Sequence, residues 1–151
     1  MTDAEAKALG LRALAAGFRW APGCLTWWRL FDEDDYHGVR LHGWTDDYSR
    51  RPEDSPVVEG YNQTENEHGA WEYPAAAGCW PDFRDDATLG VLVSQVRERS
   101  KDPGAYALPY GADDAVHWWC VYVWDKAREM RLHRGRYSDE AGAWVAALEA
   151  A

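Results

Sequence analysis

Apolar and polar positions change their period several times along the chain, and each change marks an element. Thr2-Asp3-Ala4-Glu5 has capping-box spacing, in which a hydroxyl and a carboxylate satisfy free amides of a first helical turn. Behind it Ala6, Leu9, Ala13, Leu14 and Gly17 recur at helical spacing, while Lys7 and Arg12 fall on the other side. This predicts a helix from about residue 3 to about residue 17, weakened at Gly10 and closed by Gly17. A second stripe, Leu89, Leu92, Val93 and Val96, predicts a helix from Ala87 to about Ser100, capped by Asp85 or Asp86 and stopped by Asp102-Pro103-Gly104. Ala141, Trp144, Val145 and Leu148 mark a third, capped by Ser138 with Asp139 and Glu140 in its first turn.

Between the helices the period shortens. After the turn Trp20-Ala21-Pro22-Gly23, Cys24 to Phe31 reads as a strand and His37 to Trp44 as its antiparallel partner, joined by the charged loop Asp32-Glu33-Asp34-Asp35-Tyr36. Val39 and Leu41 alternate with Arg40 and His42, so one face of the second strand is wet. From Thr45 to Gly69 the pattern dissolves into a long polar loop, of the kind that is functional or disordered in small domains. Ala70 to Tyr73 reads as a short strand, Cys79 to Phe83 as a link, and Ala105 to Tyr110 as a further strand. The run His117 to Asp125 is aromatic and β-branched at both parities, which predicts a central strand covered on both faces. Arg128 to His133 follows as a basic strand broken at Gly135. The order predicts one α+β domain over residues 1–151, an antiparallel sheet of about five to six strands with three helices packed on it.

Composition changes this picture in three ways. With 26 acidic against 16 basic residues the net charge is −10, which argues against a free nucleic-acid backbone as partner and favours a basic protein surface. Cys24, Cys79 and Cys120 are odd in number and widely spaced, as expected of reduced, buried thiols. No apolar run reaches the ~20 residues that span a bilayer, and the acidic start Met1-Thr2-Asp3-Ala4-Glu5 lacks signal-peptide character; a cytoplasmic protein is expected.

Candidate chemistry is sparse. His37 and His42 are five apart and point to opposite faces of a strand, as do His117 and Cys120, so no metal centre and no cofactor are expected. There is no nucleophile elbow, P-loop or dinucleotide fingerprint, and no catalytic residue is assigned. The ten tryptophans, with Trp27-Trp28 and Trp118-Trp119 each sending one indole to either face of a strand, fit a Trp-rich core or an exposed aromatic patch, and Trp and Tyr are enriched at binding hot spots. Acidic doublets and runs on several predicted connections could imitate a phosphate backbone if they converge. The candidate contact surface is Asp32, Glu33, Asp34, Asp35, Trp44, Asp46, Asp47, Glu53 and Asp54.

Leu9 to Trp20 followed by Pro22-Gly23, then Pro81-Asp82-Phe83, Asp86 to Gly90, Val96-Arg97-Glu98 and the ending Ala143 to Ala151, resemble small phage and prophage proteins of high-GC bacteria. Residues 45–69 and the double-Trp strands depart from that pattern. The resemblance implies a phage accessory protein of a class that often binds and inhibits host machinery, including CRISPR–Cas complexes or other nucleic-acid-binding proteins. The leading expectation is therefore a non-enzymatic inhibitor of a host protein complex, anti-CRISPR in its most concrete form, with homodimerisation compatible with it. Two alternatives stay open: a small enzyme using His117 or His37, and a phage structural or assembly protein.

Overall fold

The computed structural model describes residues 1–29, 36–44, 57–62, 67–72, 79–111 and 118–151. Helix α1 (Asp3–Ala15) begins where the capping box predicts it, with Glu5 N–H donating to Thr2 Oγ1 and Thr2 N–H donating to the Glu5 carboxylate. It ends at Gly17, whose φ of +80° supplies the left-handed turn that lets Phe18 N–H reach Ala13 O.

Strands β1 (Leu25–Arg29), β2 (Tyr36–Trp44), β3 (Val57–Asn62), β4 (Glu67–Glu72) and β5 (Trp80–Pro81) form one antiparallel sheet in the order β4-β3-β2-β1-β5. Helix α2 (Asp86–Ser100) follows. Strands β6 (Tyr106–Tyr110), β7 (Trp118–Asp125) and β8 (Met130–Tyr137) form a second antiparallel sheet, and α3 (Glu140–Glu149) ends the chain.

The α+β class and the three helices are as expected. The strands, however, divide between two sheets, and the aromatic run forms the middle of the smaller one. Two strands lie within the stretch read as polar loop: β3, and β4 from Glu67 onward, pair with each other from Val57↔Glu72 to Asn62↔Glu67. A backbone ladder needs no apolar period, so a polar hairpin leaves no periodic trace. Three smaller readings also change. Asp139, not Ser138, caps α3 by accepting from Gly142 N–H at 2.7 Å. β8 runs through Gly135 to Tyr137. The link at Trp80-Pro81 is a two-residue strand on the edge beside β1.

Helix α3 is the hub. Every residue from Ala141 to Leu148 is buried, not only the four of the predicted stripe. It lies against β7, β8 and β6 on one side and against α1 and α2 on the other. A helix apolar all round is one that is enclosed all round, and Ala141, Gly142, Ala143, Ala146 and Ala147 let its neighbours approach closely. The same core includes Leu92 and Val96 of α2, Val39 and Leu41 of β2, and Val121 and Val123 of β7. Gln95, buried in α2, pins the segment after α1 by accepting from Arg19 N–H and donating to Arg19 O.

Gly10 is a contact point more than a weakness. A Cβ there would stand 2.7 Å from the carbonyl oxygen of Pro81, where α1 crosses β5. In an exposed helix a Gly→Ala change gains about 0.5–1 kcal/mol. Here the clash is with backbone, so Gly10→Ala is expected to lower stability by about 1–3 kcal/mol in a urea melt.

Candidate functional site

Alternation along β6 and β7 sorts the second sheet into two faces. Ala107, Trp119, Val121 and Val123 join the core under α3. The opposite parity carries Tyr106, Leu108 and Tyr110 on β6, directly across from Tyr122, Cys120 and Trp118 on β7, with Trp124 beyond. Cys120 is buried, but Tyr106, Leu108, Tyr110 and Trp124 are each 36–41 % exposed. On this face β7 is covered at Cys120 and half-buried at Trp118 and Tyr122, so the expected two-sided cover is incomplete only toward Trp124 and the β6 side chains. Large apolar side chains clustered in the open are the observation that calls for a function; singly they would not.

The aromatic side chains on this face are fixed against one another. Tyr106 and Tyr122 stack with centroids 5.4 Å apart, and Tyr110 tilts onto Tyr122 at 6.5 Å. The hydroxyls of Tyr110 and Tyr122 hydrogen-bond, which together with burial holds the Tyr122 proton and pushes its pKa up to about 12. Tyr110→Phe should bring Tyr122 back toward about 10, read as a difference between the two alkaline absorbance titrations.

Arg131 of β8 completes the arrangement, its guanidinium 4.9 Å from the Tyr106 ring centre and 3.0 Å from Asp102 Oδ2. Asp102 sits at the end of α2. Burial alone would raise its pKa, but N–H donors from Trp124 (2.8 Å) and Gly104 (3.0 Å), with the Arg131 charge, hold it below the usual range. From sequence Asp102 reads as a helix stop; in the fold it also ties the end of α2 to β7 and β8 beside the aromatic face.

With Tyr122 against one side of Tyr106 and Arg131 against the ring, that tyrosine is already occupied by protein partners. Tyrosine, tryptophan and arginine are the residues enriched at protein-binding hot spots, and tyrosines offer rigid amphipathic area with little rotamer entropy to lose. Pro109 on edge strand β6 has no N–H to donate, which makes that edge a poorer template for pairing with another strand.

Asp32, Glu33, Asp34, Asp35, Asp46, Asp47, Glu53 and Asp54 lie outside the described residues, as does His117. Trp44 closes β2 opposite Val58, and His37 lies opposite Trp28. The aromatic face was visible in the sequence as an excess of Trp and Tyr; alternation in Tyr106-Ala107-Leu108-Pro109-Tyr110 was the signal that would have located it.

Cys24, Cys79 and Cys120 are free and buried. Burial pushes the Cys24 thiol up to about 11 and that of Cys79 to about 12, so neither supplies a thiolate at neutral pH. Among the described residues no group of three or more His, Cys, Asp or Glu is placed to hold a metal ion, and no helix is long and apolar enough to cross a membrane. No protein-family model matches the chain, and neither the curated proteins nor the solved structures contain a significant match.

Proposed function

We propose that this chain is a non-catalytic binding protein that docks the open face of its β6-β7-β8 sheet onto a host protein complex and inhibits it by occupying a surface that complex needs. The observation that carries the reading is the exposure of Tyr106, Leu108, Tyr110 and Trp124 on one pre-packed face. Its fitting partner has an apolar centre and a basic rim, because the chain carries a net charge of −10. The acidic residues Asp32 to Asp35, Asp46, Asp47, Glu53 and Asp54 belong to the proposal as the source of long-range attraction rather than as its centre. The resemblance to phage and prophage proteins supplies the setting, the cytoplasm of a bacterial host, and a CRISPR–Cas effector as the most concrete target.

The test is an interference assay in a bacterium with an active CRISPR–Cas system, comparing the wild-type chain with the Leu108→Lys/Trp124→Ser double variant. Both positions are 41 % exposed and still bury more than half of their surface, so the variant should lose about 2–4 kcal/mol of stability, and its fold is checked by circular dichroism beside the assay. Wild type should relieve interference and the double variant should not. Equal activity of the two would remove the aromatic face from the mechanism, and no effect of wild type would remove this target.

A further inference from the structure

The sheet that carries the open aromatic face differs in charge from the rest of the chain. Over its three strands the one acidic residue is Asp125, against Arg131, His133, Arg134 and Arg136 on β8. The chain as a whole has 26 acidic residues and 16 basic ones. The acidic excess is therefore carried elsewhere, and the aromatic face is bordered along one side by a basic strand. Arg131 and His133 stand at register positions opposite Trp124 and Tyr122, so the positive border belongs to the same face. β6, on the other border, has no charged side chain.

The far face shows what covers three strands of this length. There α3, ten residues long, lies against β6, β7 and β8 together. The outer strands of a three-stranded sheet are about 10 Å apart and a helix with its side chains is about 10–12 Å across, so one helix matches the width. Three turns of helix run about 16 Å, close to the extent of the five-residue strand β6. The open side offers the same backbone area, with Tyr106, Leu108, Tyr110 and Trp124 standing on it.

We infer that the part of the partner seated on this face is an acidic amphipathic helix of about three turns, its apolar stripe laid across Leu108, Tyr110 and Trp124 and its carboxylates turned toward β8. The inference rests on the reading of the face proposed above and adds the chemistry of what the face holds. Apolar contact supplies the bulk of the affinity. The carboxylates set the orientation, because a helix rolled the other way would place them beside uncharged β6. Net charge and local charge act at different ranges: the chain is drawn to a basic surface from a distance, and the element that docks on the sheet carries the opposite sign.

The probe is a yeast-displayed library of random peptides of about 16 residues, long enough for four turns, selected on the full wild-type chain and counter-screened on Leu108→Lys/Trp124→Ser and on the milder Leu108→Ser. Selected peptides should carry apolar residues at i, i+3, i+4 and i+7 with Asp or Glu along one flank. A synthetic consensus peptide should gain helical circular dichroism on binding. Its affinity, read by fluorescence anisotropy, should fall about tenfold when its Asp and Glu become Asn and Gln, and similarly against Arg134→Glu/Arg136→Glu. Peptides that need the aromatic face but are proline-rich, alternating or basic would overturn the acidic helix and leave the face as the contact, and so would a selection that enriches nothing. Equal retention by wild type and both face variants would overturn the face itself. The sequences and helicity of the peptides selected on wild type decide the inference even if the double variant fails to fold.

Discussion

Trp144→Ala should destabilise the chain by about 3–5 kcal/mol, the cost of emptying a large aromatic site in a core that cannot close over it. Trp144 is 2 % exposed and heads the fully buried side chains by volume. It projects from α3, which has α1 and α2 on one side and the second sheet on the other, so shrinking the gap requires moving two layers at once. Its indole N–H also donates to Glu140 Oε1 at 3.2 Å in the first turn of the same helix. Domains of this kind hold about 5–15 kcal/mol in total, so the loss removes a large fraction of the stability. The urea midpoint followed by far-ultraviolet circular dichroism measures it without depending on the deleted fluorophore. Trp144→Phe refills part of the space and should lose distinctly less. A loss from Trp144→Ala no larger than that of a surface substitution would mean that α3 is not the hub.

The second large effect is expected at Asp85, where a helix cap, an ion pair and a strand start share one carboxylate. Asp85 Oδ2 accepts from Thr88 N–H at 2.9 Å and from the Thr88 hydroxyl at 2.8 Å, and that hydroxyl accepts from Leu25 N–H at 2.7 Å, where β1 begins. Arg40 of β2 grips the same carboxylate, with Nη2 2.6 Å from Oδ1, and also donates to Gly23 O at 2.7 Å. Both ion-pair partners are largely buried, at 29 % and 16 % side-chain exposure. Loss of the cap alone costs about 1 kcal/mol. With Arg40 and the buried Thr88 hydroxyl left short of an acceptor, Asp85→Ala should cost about 2–4 kcal/mol. Asp85→Asn keeps an acceptor for the cap and gives up the charge, so it should fall between the two.

The same carboxylate makes a pH prediction. Burial alone would raise the pKa of Asp85 and of Asp82, but hydrogen bonds from Arg40 and Thr88 to the first, and from Arg84 and Trp27 to the second, leave both below the ordinary value. Asp102 is lowered in the same sense. A carboxylate depressed in the folded state contributes stability that is fully present above its unfolded pKa, about 3.9, and is lost as pH falls through the folded value beneath it. Stability should therefore drop on acidification below about pH 4, and Asp85→Asn should flatten part of that slope.

How much of this was legible in the sequence depended on whether the deciding interaction was local. The capping box at Thr2, the stripe Leu89-Leu92-Val93-Val96 and the left-handed Gly17 are set within a few residues of themselves, and they are legible directly. The third helix is legible from its stripe, which accounts for one buried face only; Ala141-Gly142-Ala143-Trp144-Val145-Ala146-Ala147-Leu148 has no polar side, and that absence is the readable sign of a helix enclosed on every side. The division of strands between two sheets was not legible, because β1 chooses β5 across more than fifty residues by shape rather than by period. Gly10 shows the same limit: its value lies in the approach of Pro81, which no local pattern announces. For the site, the excess of aromatics points to binding, and the alternation Tyr106-Ala107-Leu108-Pro109-Tyr110 is the local sign of an outward row of large side chains, while the acidic runs Asp32 to Asp35, Asp46-Asp47 and Glu53-Asp54 lie outside the described residues.

The central claim, that the open face of the β6-β7-β8 sheet is what this chain binds with, is tested most directly by parallel affinity capture from a bacterial lysate. Three baits are compared at matched fold and loading: wild type, Leu108→Lys/Trp124→Ser, and a variant with Asp32, Glu33, Asp34 and Asp35 changed to Asn and Gln. The expected result is a protein retained by wild type, absent from the aromatic-face variant, and still captured by the acid-loop variant with a weaker dependence on salt. Retention of the same protein by the aromatic-face variant, with loss in the acid-loop variant, would contradict it and return the contact to the acidic loops.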